Sequence, residues 1–276
     1  MMIRIEDLKI DSQYSITQNF YEGDIIYFYC RDNNVIKSLF LYLSGINKTN
    51  SVYFNNQIVY DNSQYFKQRI YISCEQQIIK TIYPKQIINS IQSKYNLKCN
   101  YETLQKLIDV LAIREECQMT LKNPFTLVGN TLINFAILQS LDNPIIFVNN
   151  PTIYLDNPKH IEYIVNTLNS HSYKTKLIGI NRLSHFKDKI EQIIVFNDYG
   201  RTIRFNPKKA RICLIKGEKE KLLELIKDYE RLFFIEKEDS FQLVFIDNLD
   251  HTTQKELNKL KYKIQKVSFY EIEKYF

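Results

Sequence analysis

The chain has 276 residues, 45% of them hydrophobic, enough to bury a real core in one large domain or a main domain with an appendage. Its net charge of +6 arises from 37 lysines and arginines interspersed with 31 acids, so no basic arm demands nucleic acid. The five cysteines (30, 74, 99, 117, 213) form no CxxC or CxH pair and read as reduced thiols of a cytoplasmic protein. No run reaches the ~20 apolar residues of a membrane span, and MMIRIEDLKI lacks the apolar core of a signal peptide.

MIRIEDLKI alternates like a strand, and a fully apolar second strand, DIIYFYC, follows the turn EGD at residues 22 to 24. Residues 37 to 45, KSLFLYLSG, predict a short apolar helix ended by Gly45. SVYFNNQIVY predicts a hairpin around Asn55 and Asn56, and QRIYISC another strand. Apolar residues recur at helical spacing over residues 84 to 117, so a helical block interrupts the strands. TLINFAILQSL, at 131 to 141, predicts a buried helix leading into the strand PIIFVNN, with helix HIEYIVNTLNS and strand TKLIGIN to follow. Strands alternating with helices predict an α/β domain around a parallel sheet. EQIIVFNDYGRTIRFNP then predicts a hairpin with Gly200 at its turn. Beyond a boundary near Pro207 the pattern restarts as strand ARICLIK, helix EKEKLLELIKDY, strands RLFFIEK and FQLVFID, helix TTQKELNKLKYK and a closing YEIEKYF.

Strand, loop and helix over residues 25 to 45 are the layout of a phosphate-binding unit. The chain, however, has only six glycines, well under the ~7% of an ordinary protein, so few positions admit a phosphate against the backbone. RDNNVIKSL, at 31 to 39, is similar to the pattern GxxGxGKST, keeping Lys37 and Ser38 but with Arg31, Asn34 and Ile36 in place of the glycines. LVGNTLINFAILQSL, at 127 to 141, is similar to LSGGQxxRxxIARAL and keeps Leu127, Gly129, Ala136, Ile137 and Leu141. NNPTIYLD, at 149 to 156, is similar to DEPTxxLD, with Pro151, Thr152, Leu155 and Asp156 kept and Asn149 and Asn150 replacing both acids. LIGINRLSHF, at 177 to 186, is similar to a strand ending in TH, with Asn181 at the histidine and His185 four residues on. In this order the stretches resemble the nucleotide-binding subunit of ATP-binding cassette (ABC) transporters over roughly residues 2 to 205. VSFYEIEKYF resembles the tail of exporter-type cassettes.

The resemblance implies a P-loop NTPase-like α/β cassette over residues 1 to 207 with a helical subdomain at about 84 to 125, followed by a small α+β domain over 208 to 276. It implies that Lys37 and Ser38 stand where a lysine and a hydroxyl serve phosphate and Mg²⁺, and Gly129 where a partner's nucleotide approaches. It places Tyr14 at an adenine-stacking position, and Cys74 or Glu75 at the glutamine that links site to permease. Asn149, Asn150 and Asn181 fall at the metal anchor, the base and the phosphate sensor. Asparagine hydrogen-bonds there but carries no negative charge and accepts no proton. The expectation is therefore no catalytic residue, no protein-held metal and no required cofactor, with ATP and Mg²⁺ bound weakly or at a site shared with another subunit.

Three readings stay open. The chain is a degenerate subunit docked on a membrane permease at the inner face of the membrane, beside an intact ATPase subunit or a second copy. Alternatively it is a free-standing cytoplasmic regulatory or scaffold protein with the same fold. The third is a weak atypical ATPase using Lys37, Ser38 and Asp156, which ranks last because no acid is expected beside the end of the strand at 145 to 148.

Overall fold

The computed structural model of the chain describes residues 2–75, 93, 100, 102, 106, 127–170, 173–237, 240–247 and 249–276. The helical block expected at 84 to 125 lies outside the described residues, isolated positions aside.

Parallel strands dominate the centre. β3 (Ile25–Tyr29), β6 (Arg69–Ser73), β7 (Ile145–Asn149), β8 (Thr175–Ile180) and β9 (Ile193–Phe196) run parallel, and β10 (Thr202–Phe205) closes one edge antiparallel, in the order β10-β9-β3-β8-β7-β6. Every residue of β7, β8 and β9 is buried, because both faces of the sheet are covered. That is why stretches such as IIFV of β7, LIGI of β8 and IIVF of β9 read as apolar runs and not as alternating ones.

One face is covered by α1 (Asn33–Leu43) and by a small antiparallel sheet of β1 (Met2–Lys9), β2 (Ser15–Tyr21), β4 (Val52–Phe54) and β5 (Gln57–Ile58), ordered β2-β1-β4-β5. The β4–β5 turn is the expected hairpin, with Asn55 and Asn56 both in the left-handed region, as a two-residue turn between twisted strands requires. α1 buries Val35, Ile36, Leu39, Phe40 and Leu43, at roughly 1.5–3 kcal/mol for each large side chain. It ends at Ser44, and Gly45 follows at φ 71° as the expected stop. Tyr65, from α2 (Ser63–Gln68), donates its hydroxyl to the Leu43 carbonyl at 2.5 Å and so satisfies an orphan group of that helix end.

The opposite face is covered by α3 (Leu127–Ser140), α4 (Pro158–Asn169) and the C-terminal domain. That domain is a four-stranded antiparallel sheet of β11 (Ile212–Gly217), β12 (Arg231–Lys237), β13 (Ser240–Ile246) and β14 (Ile264–Val267), ordered β12-β13-β11-β14, with α5 (Lys219–Leu225) and α6 (His251–Lys259). Alternation along its strands divides the side chains between two cores. Ile212, Leu214, Val244 and Ile246 join the core beneath the central sheet, whereas Cys213, Ile215, Leu243 and Phe245 pack with Leu222 and Leu257 of α5 and α6. The two sheets thus share one core.

The sequence reading passes over β2 and β14, whose residues carry little apolar signal. β2 buries only Ile16 and Phe20, and no residue of β14 is fully buried. Among the described residues no helix is long and apolar enough to cross a membrane.

Candidate functional site

Ligands of parallel α/β sheets meet the carboxyl ends of the strands, and the connection from β3 to α1 lies at that edge. It is a tight turn of Cys30, Arg31 and Asp32. The expected helix start near Lys37 is corrected by the structure: α1 begins at Asn33, one turn earlier, because Asp32 caps it. The Asp32 carboxylate accepts from Asn34 N at 2.9 Å, and Val35 N donates to the Asp32 carbonyl at 3.2 Å. The stretch resembling a phosphate loop is therefore the first turn of a helix. Val35 and Ile36 are core residues, while Lys37 and Ser38 fall in the second turn, half-buried. An anion arriving at this helix start meets a carboxylate already bound to the Asn34 N–H.

Asn149 closes β7, the residue 1% exposed, and its Nδ2 has no hydrogen-bond partner among the described residues. It stands beside Gly179 of β8, where a Cβ would fall 2.4 Å from Asn149 Oδ1 and 2.6 Å from Ile36 Cγ2. Glycine at 179 is what lets α1 and Asn149 crowd onto β8. Asn150 is held at φ 51° and donates its backbone N–H to the Gly179 carbonyl at 2.9 Å. Its side-chain amide donates to Glu75 Oε1. The expectation that no acid stands at this strand end is thereby corrected. β6 pairs in parallel with β7, with Ser73 level with Asn149, and this register carries Glu75 up to Asn150. Cys74 is fully buried between them, donates its N–H to the Asn149 carbonyl at 3.0 Å, and has its thiol pushed up to about 12 by burial and the Glu75 charge.

The remaining positions are partly brought to this edge. Gly129, expected where a partner's nucleotide approaches, is buried within the first turn of α3. The next two residues tie that turn down: Asn130 Nδ2 donates to the Cys74 carbonyl at 3.5 Å, and Thr131 Oγ1 to the Ile153 carbonyl at 2.9 Å. Tyr14 is buried with its ring edge-on to Phe196 at 5.9 Å, so it presents no open face to a base, and burial lifts its hydroxyl above the ordinary tyrosine range. Asn181, after β8, is half-buried. His185 is half-buried too, with Nδ1 3.1 Å from Thr152 Oγ1, and is held below the usual histidine range by burial and then by Arg182. Asp156 is exposed and pairs with Arg182 at 3.5 Å. Among the described residues no group of three or more His, Cys, Asp or Glu is placed to hold a metal ion.

The other half of the edge meets the C-terminal domain. Arg31 donates to Asp198 Oδ2 at 2.8 Å and to the Phe234 carbonyl at 3.1 Å, and its guanidinium lies 4.2 Å from the centre of the Phe276 ring. Asp198 also accepts from Phe234 N at 2.9 Å; burial raises its carboxyl, and the Phe234 N–H and Arg31 counter the shift. The sequence offers Arg31 only as a replaced glycine. Its partners lie 167 and 203 residues away, which local pattern cannot reveal.

No family model and no curated protein sequence matches the chain. Solved structures do match in fold. Over 75% of this chain and 89% of the other, the structure is similar to cbiO1 from Clostridium perfringens, part of the ABC transporter complex cbiONQ, at 16% identity and a TM-score of 0.54. A bacterial Atm1-family ABC exporter with ATP bound matches at 13% identity and a TM-score of 0.58, over 74% of this chain and 39% of that one. A dimeric ATP-binding cassette in a post-hydrolysis state bound to ADP and phosphate matches at 16% identity and a TM-score of 0.55, over 75% and 98%. The fold of this chain is that of the ATP-binding cassette of ABC transporters.

Proposed function

We propose that the chain is a catalytically silent ATP-binding-cassette subunit, the structural and regulatory partner of a membrane permease and of an intact ATPase subunit. The observation that carries this reading is the helical turn at residues 33 to 36, with Ile36 buried against Gly179. A triphosphate needs a row of backbone N–H groups facing outward and room for the phosphates between them. Here the Asn34 N–H is already bound to Asp32, and a β-branched side chain fills the space. The residues present do not fit Mg·ATP. Asn149 and Asn150 cannot act as bases, and Glu75 lies alongside the Asn150 amide.

ATP and Mg²⁺ are thus no requirement of this chain, and any nucleotide in an assembly is held chiefly by the partner. The chain stands at the inner face of the membrane through its permease, by analogy with cbiO1, which is part of a transporter complex. Co-expression with the permease and cassette encoded nearest to it tests the reading. The expected result is a stable complex whose ATP turnover is unchanged by Lys37→Ala in this chain. Turnover abolished by that substitution contradicts it.

A second reading, a free-standing scaffold, draws support from the C-terminal domain, which closes half of the sheet edge without any partner chain. Failure to co-purify with any permease, with the chain folded and monomeric, favours that alternative.

A further inference from the structure

We infer that the C-terminal domain is a built-in cap on the carboxyl edge of the central sheet, clasped by Arg31, and that it occupies the ground over β9, β3 and β8 where an external ligand would settle. This stands on packing geometry and does not depend on whether the chain hydrolyses ATP.

Three neighbouring strand ends each carry a contact to the same domain. After β9, Asn197 Nδ2 donates to the Arg231 carbonyl at 2.9 Å and Asp198 receives the Phe234 N–H. At the end of β3, the Tyr29 ring meets Phe233 at 5.9 Å and Phe269 at 6.4 Å, edge-on. Beyond β8, Leu183 N donates to Glu273 Oε1 at 2.9 Å. These are the places where an open α/β sheet offers its crevice.

Arg31 joins them. Its guanidinium donates both to Asp198, from the cassette, and to the carbonyl of Phe234, from the cap, while the N–H of Phe234 returns to Asp198. The three groups close a ring of charge-assisted hydrogen bonds in which the cassette's own Arg31–Asp198 pair is joined to the cap through both backbone groups of Phe234. The Phe276 ring lies 4.2 Å from the guanidinium and packs on Phe233 at 5.3 Å. A domain hung on a linker would show a polar, mobile boundary. This one continues the core of the sheet it covers and locks its rim with an arginine.

Hydrogen exchange on the full chain tests the clasp. Arg31→Ala is expected to speed exchange of the amides at 29–34 and 181–186 by at least about tenfold, leaving β7 as protected as in the wild type. Phe276→Ala, which removes only the outer ring, is expected to act in the same direction more weakly, and it serves if Arg31→Ala does not fold. Rates within about twofold of wild type in a folded Arg31→Ala chain overturn the cap. Micromolar Mg·ATP binding that appears only in Arg31→Ala supports the cap while contradicting the silent reading. Unchanged exchange with no nucleotide binding contradicts the cap alone.

Discussion

Gly179→Ala places a methyl group at the most crowded point of the edge. The added carbon would sit 2.4 Å from Asn149 Oδ1, 2.6 Å from Ile36 Cγ2 and 3.3 Å from Phe40 Cε2. None of these can retreat cheaply. Ile36 is β-branched and fixed at χ1 in a helix, Asn149 is short, and all three side chains are buried. Either α1 lifts from β8 or the strand shifts, and overpacking of this kind costs about 1–3 kcal/mol. At about 2 kcal/mol the melting temperature of a chain this size falls by about 4–8 °C. Ile36→Ala alone opens a cavity and costs about 2–4 kcal/mol, but it also makes room for the new methyl. The double variant should therefore be more stable than the sum of the single losses by about 1 kcal/mol or more. Urea denaturation followed by circular dichroism measures all four corners of the cycle. If Gly179→Ala melts within about 1 °C of wild type, or if the losses simply add, Ile36 does not pack on β8 and the case for a filled phosphate site collapses.

Asp32→Ala removes the cap of α1 and should cost about 1 kcal/mol, seen as a lower urea midpoint with an unchanged slope; no loss would place the helix start elsewhere. Lys176 Nζ donates to the carbonyls of Thr167, Leu168 and Ser170 at the end of α4, and burial, with Lys174 adding to it, pushes the amine down from 10.5 to about 8. The folded chain therefore releases this proton before the unfolded chain does, so the residue adds stability as pH rises from about 8 towards 10.5. The stability difference between wild type and Lys176→Met should shift in favour of wild type across that window, and a pH-independent difference contradicts the assignment. Burial pushes the Cys30 thiol up to about 11 and the Cys74 thiol up to about 12, so neither should react with iodoacetamide at pH 8 until urea is added. Mass spectrometry showing rapid native labelling at either one refutes their placement.

The parallel sheet was legible because its strands are buried on both faces and flanked by turn residues, as in PIIFVNN and TKLIGIN. The hairpin at Asn55 and Asn56 and the turn at Gly200 were legible because left-handed positions favour those residue types. The motif frame hid the start of α1. Lys37 and Ser38 suggest a helix beginning there, whereas Asp32 followed by residues able to turn is the actual capping signal. Scarcity of glycine was the better clue, since a loop without it collapses into helix. Glu75 and Asn150 were both singled out, but their meeting depends on the register of β6 against β7, which no local pattern contains. The burial of Gly129 and Tyr14 likewise follows from tertiary packing. Arg31 was counted as damage to a loop, but its partners are Asp198, in the turn between β9 and β10, and the Phe234 carbonyl of the docked third sheet, both remote in sequence.

Titration calorimetry with Mg·ATP on the purified chain asks whether residues 31 to 38 can hold a triphosphate. With the Asn34 N–H taken by Asp32 and Ile36 in the core, no saturable heat is expected up to about 1 mM nucleotide, which corresponds to binding weaker than about −4 kcal/mol. A micromolar dissociation constant that is lost in Ser38→Ala would contradict it, because that result requires residues 31 to 38 to open into a phosphate loop.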